Sequence, residues 1–144
     1  MKILVLNGPN INMLGIREPG IYGKQSYEDL LNLLETTAKK LGVDMEHFQS
    51  NHEGCLVDKI QEAYGKFQGI VINPAAYTHT SVAILDALKA VAIPAVEVHI
   101  SNVHAREEFR HTSVLSEVCK GVVCGFGAGS YVAAIAGLKE YLSK

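Results

Sequence analysis

Short apolar runs alternate with longer amphipathic segments along the whole chain, and this alternation restricts the fold more than any other feature of the sequence. Continuous apolar runs are typical of strands that are covered on both faces of a parallel sheet. The predicted strands are Lys2–Asn7, Val43–Gln49, Gly69–Asn73, Ala95–Ile100 and Gly121–Gly125. Because helical segments separate them, the pattern predicts an α/β fold in a single domain over residues 1–144. The leading architecture is a flavodoxin-like, doubly wound, five-stranded parallel sheet with strand order 2-1-3-4-5.

The segments between the strands carry the repeats and end signals of helices. Ser26 is a suitable N-cap for the first helix, and Gly42 is suited to end it. A second helix is predicted over Leu56–Phe67, and a third begins after a cap at Thr78 or Thr80. The predicted inner face of the last helix contains Val132, Ile135, Leu138, Tyr141 and Leu142.

The stretch from Leu6 to Gly23 is too long and too apolar to be a plain connection. Its Gly and Pro residues exclude a regular helix or strand, so we expect a loop without regular structure. Long connections of this kind are usually functional or disordered, and the apolar residues favour an ordered loop. A guanidinium keeps its charge and favours a phenolate beside it, so Arg17 could make Tyr22 a base. On the loop alone, an exposed arginine and a packed tyrosine are the simpler interpretation.

Composition excludes several classes of function. The apolar fraction is 48%, the charged fraction is 19%, and the net charge is −2, with no basic run or acidic tail. These values argue against a nucleic-acid or membrane partner. The amino terminus lacks the pattern of a signal peptide, and no apolar run is long enough to span a bilayer. Three cysteines without a Cys-x-x-Cys motif predict a reduced, cytoplasmic protein with buried thiols and make a zinc site improbable.

Polar side chains collect at the carboxyl ends of the predicted strands, where doubly wound sheets bind their ligands. Asn10 follows the first strand, Asn73 ends the third, and His99 and Ser101 end the fourth. Glu97 is two residues before His99, so the two side chains share one face of the strand. A carboxylate there could orient the imidazole as a general acid, although a structural, hydrogen-bonded histidine is an equally good interpretation.

Three further segments have both a functional and a plain interpretation. Asn73–Thr80 offers an amide and a helix N-terminus to an anion, but it could be a capped turn with a solvated His79. Arg106 and Arg110 are four residues apart and could bind a carboxylate from one helical face, although a solvated charged face is simpler. Asp86 lies in an apolar, alanine-rich helix, so it faces either solvent or a partner subunit.

The glycine-rich turn Gly125–Ser130 suggests a rival function. It is similar to a phosphate loop, but it follows the last strand and contains no lysine, so a tight turn explains it more simply. The rival is a flavodoxin-like binding module that holds a nucleotide or flavin phosphate on this turn. A phosphoacceptor domain of similar topology would need acids after the first strand, where Asn7 and Asn10 stand instead.

Six motifs together resemble the type II 3-dehydroquinate dehydratases of the shikimate pathway, and the resemblance covers nearly the whole chain. The motifs are Asn7-Gly-Pro-Asn10, Arg17-Glu-Pro-x-x-Tyr22-Gly, Ser50-Asn51-x-Glu53-Gly54, Asn73-Pro-x-Ala-Tyr-Thr-His79-Thr-Ser81, Glu97-Val-His99-Ile-Ser101-Asn102 and Arg106-Glu-x-Phe-Arg110. The chain departs mildly at Ala75, where many members have glycine. The resemblance implies a cytoplasmic dodecamer of four trimers that removes water reversibly from 3-dehydroquinate, without cofactor or metal.

The resemblance also implies a role for each matched residue. Tyr22 removes a proton alpha to the ketone, supported by Arg17, and Asn10 stabilises the resulting enolate. His99 protonates the departing hydroxyl, and Glu97 orients it. The positions matching substrate-binding residues are Asn73, His79, Asp86, Ile100, Ser101, Arg106 and Arg110. The resemblance implies that Arg106 also supports the tyrosinate and that Asp86 reaches the site of a neighbouring subunit.

Overall fold

A computed structural model describes residues 1–144 of the chain. At its centre is a sheet of five parallel strands in the order β2-β1-β3-β4-β5, which confirms the predicted doubly wound, flavodoxin-like topology. The strands are β1 (Lys2–Asn7), β2 (Asp44–Gln49), β3 (Gly69–Asn73), β4 (Ala95–His99) and β5 (Gly121–Cys124). The more polar β2 lies at one edge of the sheet, as its mixed sequence predicts.

Helices connect the strands and cover both faces of the sheet. They are α1 (Pro19–Tyr22), α2 (Tyr27–Leu41), α3 (Glu53–Glu62), α4 (Val82–Val91) and α5 (Gly129–Leu142). The predicted cap of α2 is confirmed, because Ser26 Oγ accepts the Asp29 N–H at 3.1 Å and Asp29 Oδ2 accepts the Ser26 N–H at 2.9 Å. Such reciprocal caps satisfy donors that a helix start leaves free.

Side chains that alternate along β1 enter two separate cores. Ile3 and Val5 pack in the cluster that includes α2 and α5, whereas Leu4 and Leu6 pack in the cluster that includes α3 and α4. All four side chains are fully buried, and each such burial stabilises the fold by about 1.5–3 kcal/mol. Because both faces of the sheet are covered, the ends of the strands are the places left for a ligand.

The prediction that the opening loop has no regular structure is wrong. Residues Ile11–Met13 form a 3₁₀ turn, and α1 follows as one helical turn. Pro19 begins α1 with a preset φ, and the Glu18 carbonyl accepts the N–H groups of Ile21 and Tyr22 at 2.9 and 3.1 Å. The glycines restrict these elements to single turns but do not prevent them.

Three other local predictions are corrected. Helix α3 begins at Glu53 and ends at Glu62, before Gly65 with its φ of 74°. The N-cap of α4 is Ser81, whose Oγ accepts the Ile84 N–H at 3.0 Å, rather than Thr78 or Thr80, because the Thr78 side chain turns inward to bond Glu97. Tyr141 is 46% exposed and does not belong to the inner face of α5.

The cysteines also differ from the prediction of buried thiols. Cys55 is exposed, and only Cys119 and Cys124 are partly covered. Burial, together with the nearby charge of Glu97, raises the pKa of Cys119 to about 12, which leaves this thiol unreactive. Separately, none of the helices combines the length and the apolar character that crossing a bilayer requires.

Strands β1 and β3 end side by side, and a glycine lets the loops after them approach each other. Asn7 pairs with Asn73 in register, and the Gly8 N–H donates to the Asn73 carbonyl at 2.8 Å. A Cβ atom at Gly8 would lie 2.5 Å from the Pro74 carbonyl oxygen, so a larger residue does not fit. This close approach brings Asn10 and Asn73 to the same end of the sheet.

Candidate active site

A cleft opens at the carboxyl ends of β1, β3 and β4, where ligands bind in doubly wound sheets. Its lining comes from the opening loop, the β3–α4 connection and the β4–β5 connection. The predicted residues that line it are Asn10, Arg17, Tyr22, Asn73, His99, Ile100, Ser101, Arg106 and Arg110. The volume is about 50 Å³, compared with roughly 300–1,000 Å³ for small-molecule pockets. A substrate-sized molecule therefore needs more room than this cleft alone, and an adjoining space of about 480 Å³ shares Tyr22, Ser101 and Arg106 with it.

The strand ends beneath the cleft form a rigid floor, by which we mean Asn7, Asn73, Glu97 and His99. Tyr131 of α5 joins two of these residues, donating to Asn7 Oδ1 at 2.6 Å and accepting from Asn73 Nδ2 at 2.8 Å. Burial raises the pKa of Tyr131, so its hydroxyl stays neutral and keeps both bonds. Asn73 Oδ1 accepts the Ala75 N–H at 3.1 Å and so fixes the next loop as well.

The end of β4 carries a buried carboxylate–imidazole pair. His99 Nε2 lies 2.6 Å from Glu97 Oε1, and the hydroxyls of Thr78 and Ser113 also bond this carboxylate. Burial alone would raise the pKa of Glu97, but the bonds from His99, Thr78 and Ser113 bring it below the usual value. Because an ionised carboxylate only accepts hydrogen bonds, the network assigns the proton to Nε2 and leaves Nδ1 for a bound molecule.

Tyr22 of the opening loop contacts two guanidinium groups. Arg106 Nη1 donates to Tyr22 Oη at 2.8 Å. The guanidinium carbons of Arg17 and Arg106 lie 4.7 and 5.2 Å from the centre of the tyrosine ring. Arg106 rather than Arg17 makes the direct contact with the hydroxyl. Arg17 is partly exposed and lies 3.8 Å from a Glu18 carboxylate oxygen.

The two arginines of the β4–β5 connection are not presented by one helical face. Arg106 is extended and precedes a 3₁₀ turn at Glu108–Arg110. Its Nη1 also lies 3.4 Å from Ser101 Oγ, while its buried Nε has no hydrogen-bond partner. Arg110 Nε donates to Glu107 Oε2 at 2.6 Å. Buried donors are normally satisfied, so Arg106 Nε marks a place for an acceptor atom of a ligand.

Three predicted site residues lie outside the lining of the cleft. Glu97 lies behind His99 and acts only through it. His79 Nδ1 lies 2.7 Å from the Thr112 carbonyl oxygen, and its ring stands edge-on to Phe109. Since a carbonyl only accepts, Nδ1 carries the proton and Nε2 remains available. Asp86 is exposed on α4, away from the cleft of its own chain.

The glycine-rich turn before α5 has already used most of its backbone donors. The Phe126 N–H donates to Ser130 Oγ, and the Gly127 N–H donates to the Ile100 carbonyl, each at 3.0 Å. The N–H groups of Gly129 and Ser130 donate to carbonyls within the turn. A phosphate would have to break these bonds, which argues against the rival binding module.

Sequence reasoning missed several residues that support the site. Tyr131 occupies the inner stripe of α5 with Ile135 and Leu138, and this helical spacing could have revealed it. Asn51 Oδ1 accepts the Asn10 N–H at 3.0 Å, which gives the Ser50–Gly54 motif a structural role. Asn10 itself has a left-handed φ of 68° that this bond helps to hold. Nothing in the local sequence singles out Ser113, because its partner Glu97 is distant along the chain.

A family profile, related sequences and a solved structure all identify the same family. The profile of the family described as Dehydroquinase class II matches residues 1–139. A 3-dehydroquinate dehydratase of Caldicellulosiruptor bescii is 59% identical over 142 residues, covering 98% of each chain. One from Lachnospira eligens is 60% identical over 146 residues, covering 100% of this chain and 99% of the relative. The crystal structure of the type II dehydroquinase of Butyrivibrio crossotus superposes with a TM-score of 0.95 at 56% identity, covering 96% of this chain and 97% of that chain.

Proposed function

The chain belongs to the class II dehydroquinase family, and on that premise we propose how its residues catalyse the loss of water from 3-dehydroquinate. The chain is a 3-dehydroquinate dehydratase, a hydro-lyase that forms 3-dehydroshikimate in the shikimate pathway of aromatic amino acid biosynthesis. The family resemblance of the six motifs is thereby confirmed. The observation that ties this chemistry to the cleft is that a guanidinium-bound tyrosine and a carboxylate-bound histidine both line it.

Tyr22 is the proposed base. Its phenolate takes the proton alpha to the ketone, and the electron pair of that C–H bond moves toward the ketone oxygen. Arg106 donates to its oxygen and Arg17 lies beside its ring, so both guanidinium groups face the reacting tyrosine. A positioned base of this kind contributes roughly 10²–10⁴-fold to the rate.

Asn10 is the proposed stabiliser of the enolate. It lines the cleft directly after β1, and its backbone is held by Asn51 at 3.0 Å. Donors that are fixed before reaction stabilise developing negative charge without reorganisation, so the αL conformation of Asn10 has a function in this proposal.

His99 is the proposed acid. As the enolate reforms the ketone, the C–O bond to the hydroxyl breaks and the carbon–carbon double bond forms. His99, protonated on both ring nitrogens, donates the Nδ1 proton so that water departs, while the Nε2 proton stays bonded to Glu97. The bond from Nε2 to Glu97 fixes the orientation of the ring. Base and acid therefore lie on different elements, with Tyr22 on the opening loop and His99 on β4.

The remaining matched residues are proposed to hold the substrate. Arg110, with Ser101 and the backbone of Ile100, would bind the carboxylate, since guanidinium groups match its geometry. Asn73 and the free Nε2 of His79 would bind hydroxyl groups. The unsatisfied Nε of Arg106 would find its acceptor in the same molecule.

We propose that the chain assembles as a homododecamer of four trimers, in which Asp86 reaches the site of a neighbouring subunit. Asp86 and the 57% exposed Val82 share α4, so a carboxylate and an apolar side chain are available to a partner. Measuring the mass in solution by light scattering tests the assembly, and a monomer with full activity would contradict the role of Asp86.

We further propose that residues 1–144 act as one catalytic domain in the cytoplasm. Two cores on the faces of one sheet support a single domain. Three free cysteines, one of them exposed, fit a reducing compartment.

The function is tested by mixing the purified protein with 3-dehydroquinate and following the ultraviolet absorbance of the enone product. We expect turnover, and we expect the rate to be unchanged by a chelator because no step of the proposal uses a metal. Folded protein that forms no enone would contradict the assignment, and loss of the rate with EDTA would contradict the proposed mechanism.

A further inference from the structure

We propose that Thr78 and Ser113 are positioning residues that keep the proton of the Glu97–His99 pair on the imidazole. The inference rests on the proposed role of His99 as the acid. Neither residue lines the catalytic cleft, and both act through Glu97.

The direction of each hydrogen bond follows from counting donors and acceptors. Ser113 Oγ accepts the N–H groups of Leu115 and Ser116 at 3.2 and 3.0 Å. These bonds occupy both lone pairs of the hydroxyl, so Ser113 can only donate its proton. Of the acceptors within reach, the ionised carboxylate of Glu97, at 3.0 and 2.9 Å, is stronger than the Thr78 hydroxyl at 2.8 Å.

The hydroxyl of Thr78 also donates its proton to Glu97. Its Oγ1 lies 2.8 Å from Ser113 Oγ, but Ser113 has no lone pair left to accept a proton from it. Its proton therefore goes to Glu97 Oε1. Glu97 consequently accepts hydrogen bonds from two fixed hydroxyls besides that from His99 Nε2.

These two bonds have a chemical consequence for the acid. A carboxylate without such donors is more basic and would draw the Nε2 proton toward itself, which leaves the imidazole less charged and a weaker acid toward the leaving hydroxyl, while the pair as a whole keeps its proton to higher pH. The hydroxyls reduce this basicity and keep the carboxylate ionised. They thus tune His99 while remaining out of contact with the substrate.

A second cavity explains why fixed hydroxyls are needed at this place. About 160 Å³ of space borders Glu97 and adjoins the catalytic cleft, with which it shares His99 and Arg110. Its lining also includes Thr78, Ser113, His104 and His111. Water could enter a polar space of this size and bond the carboxylate in varying geometries. Thr78 is buried, whereas Ser113 is only partly covered, so water can replace the hydroxyl of Ser113 more easily than that of Thr78.

The test is the pH dependence of kcat for Thr78→Val and Ser113→Ala. Thr78→Ser, which keeps the hydroxyl, should rescue the first variant. Ser116→Ala is the matched control, because the Ser116 hydroxyl bonds only the Ser113 carbonyl at 3.3 Å.

Losing one bond to a charged group should lower kcat roughly tenfold for Thr78→Val and less for Ser113→Ala. The alkaline limb of the profile should move to higher pH, and KM should change less than about twofold.

Two results would overturn the proposal: a lower kcat with an unmoved alkaline limb, or a Thr78→Ser variant as impaired as Thr78→Val. Thermal unfolding of each variant, measured in parallel, identifies one that fails to fold, and Ser113→Ala then serves as the second test. Because the parent enzyme is assayed beside the variants, failure of this inference is distinguishable from failure of the proposed function.

Discussion

The two halves of the proposed acid–base machinery are held in very different ways. Tyr22 belongs to the base loop, by which we mean residues 16–23. The backbone N–H groups of Ile16, Arg17, Ile21, Tyr22 and Gly23 donate only to carbonyls between Met13 and Pro19. The base loop is joined to the rest of the chain by the hydrogen bond from Arg106 to the Tyr22 hydroxyl. His99, in contrast, ends a fully buried strand and is fixed through Glu97, which has two donors besides His99.

This difference indicates how the site can be both precise and accessible. Segments with few long-range bonds open at low free-energy cost, whereas core strands open only with the whole protein. The cleft alone is too small for a substrate, and the base loop is the part of its wall with the fewest restraints. We expect the base loop to act as a lid that brings Tyr22 to a substrate already bound on the floor.

The largest expected effect is a loss of activity without a loss of stability, on the side of the base loop. Tyr22→Phe should lower kcat by roughly 10³-fold, because the base is lost, while changing the free energy of unfolding by less than about 1 kcal/mol. Tyr64→Phe, at a 70% exposed position, is the matched control and should keep normal turnover. Steady-state kinetics and urea unfolding of both variants provide the check. A stable Tyr22→Phe protein with near-normal kcat would remove Tyr22 from the mechanism.

The same comparison predicts that a change in the floor affects stability as well as rate. Glu97→Gln places an amide among hydroxyl and imidazole donors, which should cost about 3 kcal/mol of stability besides lowering kcat. Glu117→Gln is the control, because the ion pair of Glu117 with Lys89 is exposed and lies outside the lining of the cleft. If Glu97→Gln unfolded at the same urea concentration as the parent, the floor would not be the rigid half of the site.

Acid should destabilise the protein through the floor rather than through the loop. The pKa of Glu97 in the folded state lies below its ordinary value of 4.5, so the unfolded chain binds the proton more tightly. Stability is therefore fully present above about pH 4.5 and falls as the pH drops through the folded pKa. Unfolding free energies measured from pH 6 to pH 3 should show this fall in the parent and a shallower one in Glu97→Gln. Equal slopes for the two proteins would assign acid sensitivity to other groups.

The smallest expected effect concerns strain in the floor's neighbouring loop. Ala75 has a left-handed φ of 51°, a conformation that glycine adopts at lower cost. Ala75→Gly should therefore raise the unfolding free energy by about 0.5–1 kcal/mol, after allowing for the greater freedom of glycine in the unfolded chain.

Ala92, with a φ of 54° at the end of α4, offers a control away from the cleft. Ala92→Gly should give a similar gain in thermal stability. Destabilisation by both substitutions would show that the backbone of these turns is unstrained.

The sequence predicts the floor better than the base loop, and the reason is physical. Buried parallel strands such as Gly69–Asn73 have a strong apolar signature, and the topology then brings their polar ends together without any further information. The pairing of Glu97 with His99 follows from strand periodicity alone. Helix α1 was missed because glycine and proline argue against helices on average, although Pro19 at a first helical turn favours one.

Contacts between distant segments are the part that the sequence could not provide. Ser113 reaches Glu97 and Tyr131 reaches Asn7 only after the chain has folded, and neither residue stands in a motif that signals its partner. For the same reason the sequence favoured Arg17 as the main partner of Tyr22, whereas Arg106 makes the closer contact with the hydroxyl.

The central claim, a base on the mobile half and an acid on the rigid half, is tested most directly by deuterium exchange into 3-dehydroquinate. Proton removal and loss of water are separate steps, so a variant that lacks only the acid should still exchange the alpha hydrogen. In D₂O, followed by NMR, we predict that His99→Gln exchanges this hydrogen while forming little product, and that Tyr22→Phe does neither. Exchange by Tyr22→Phe at the rate of His99→Gln would contradict the account.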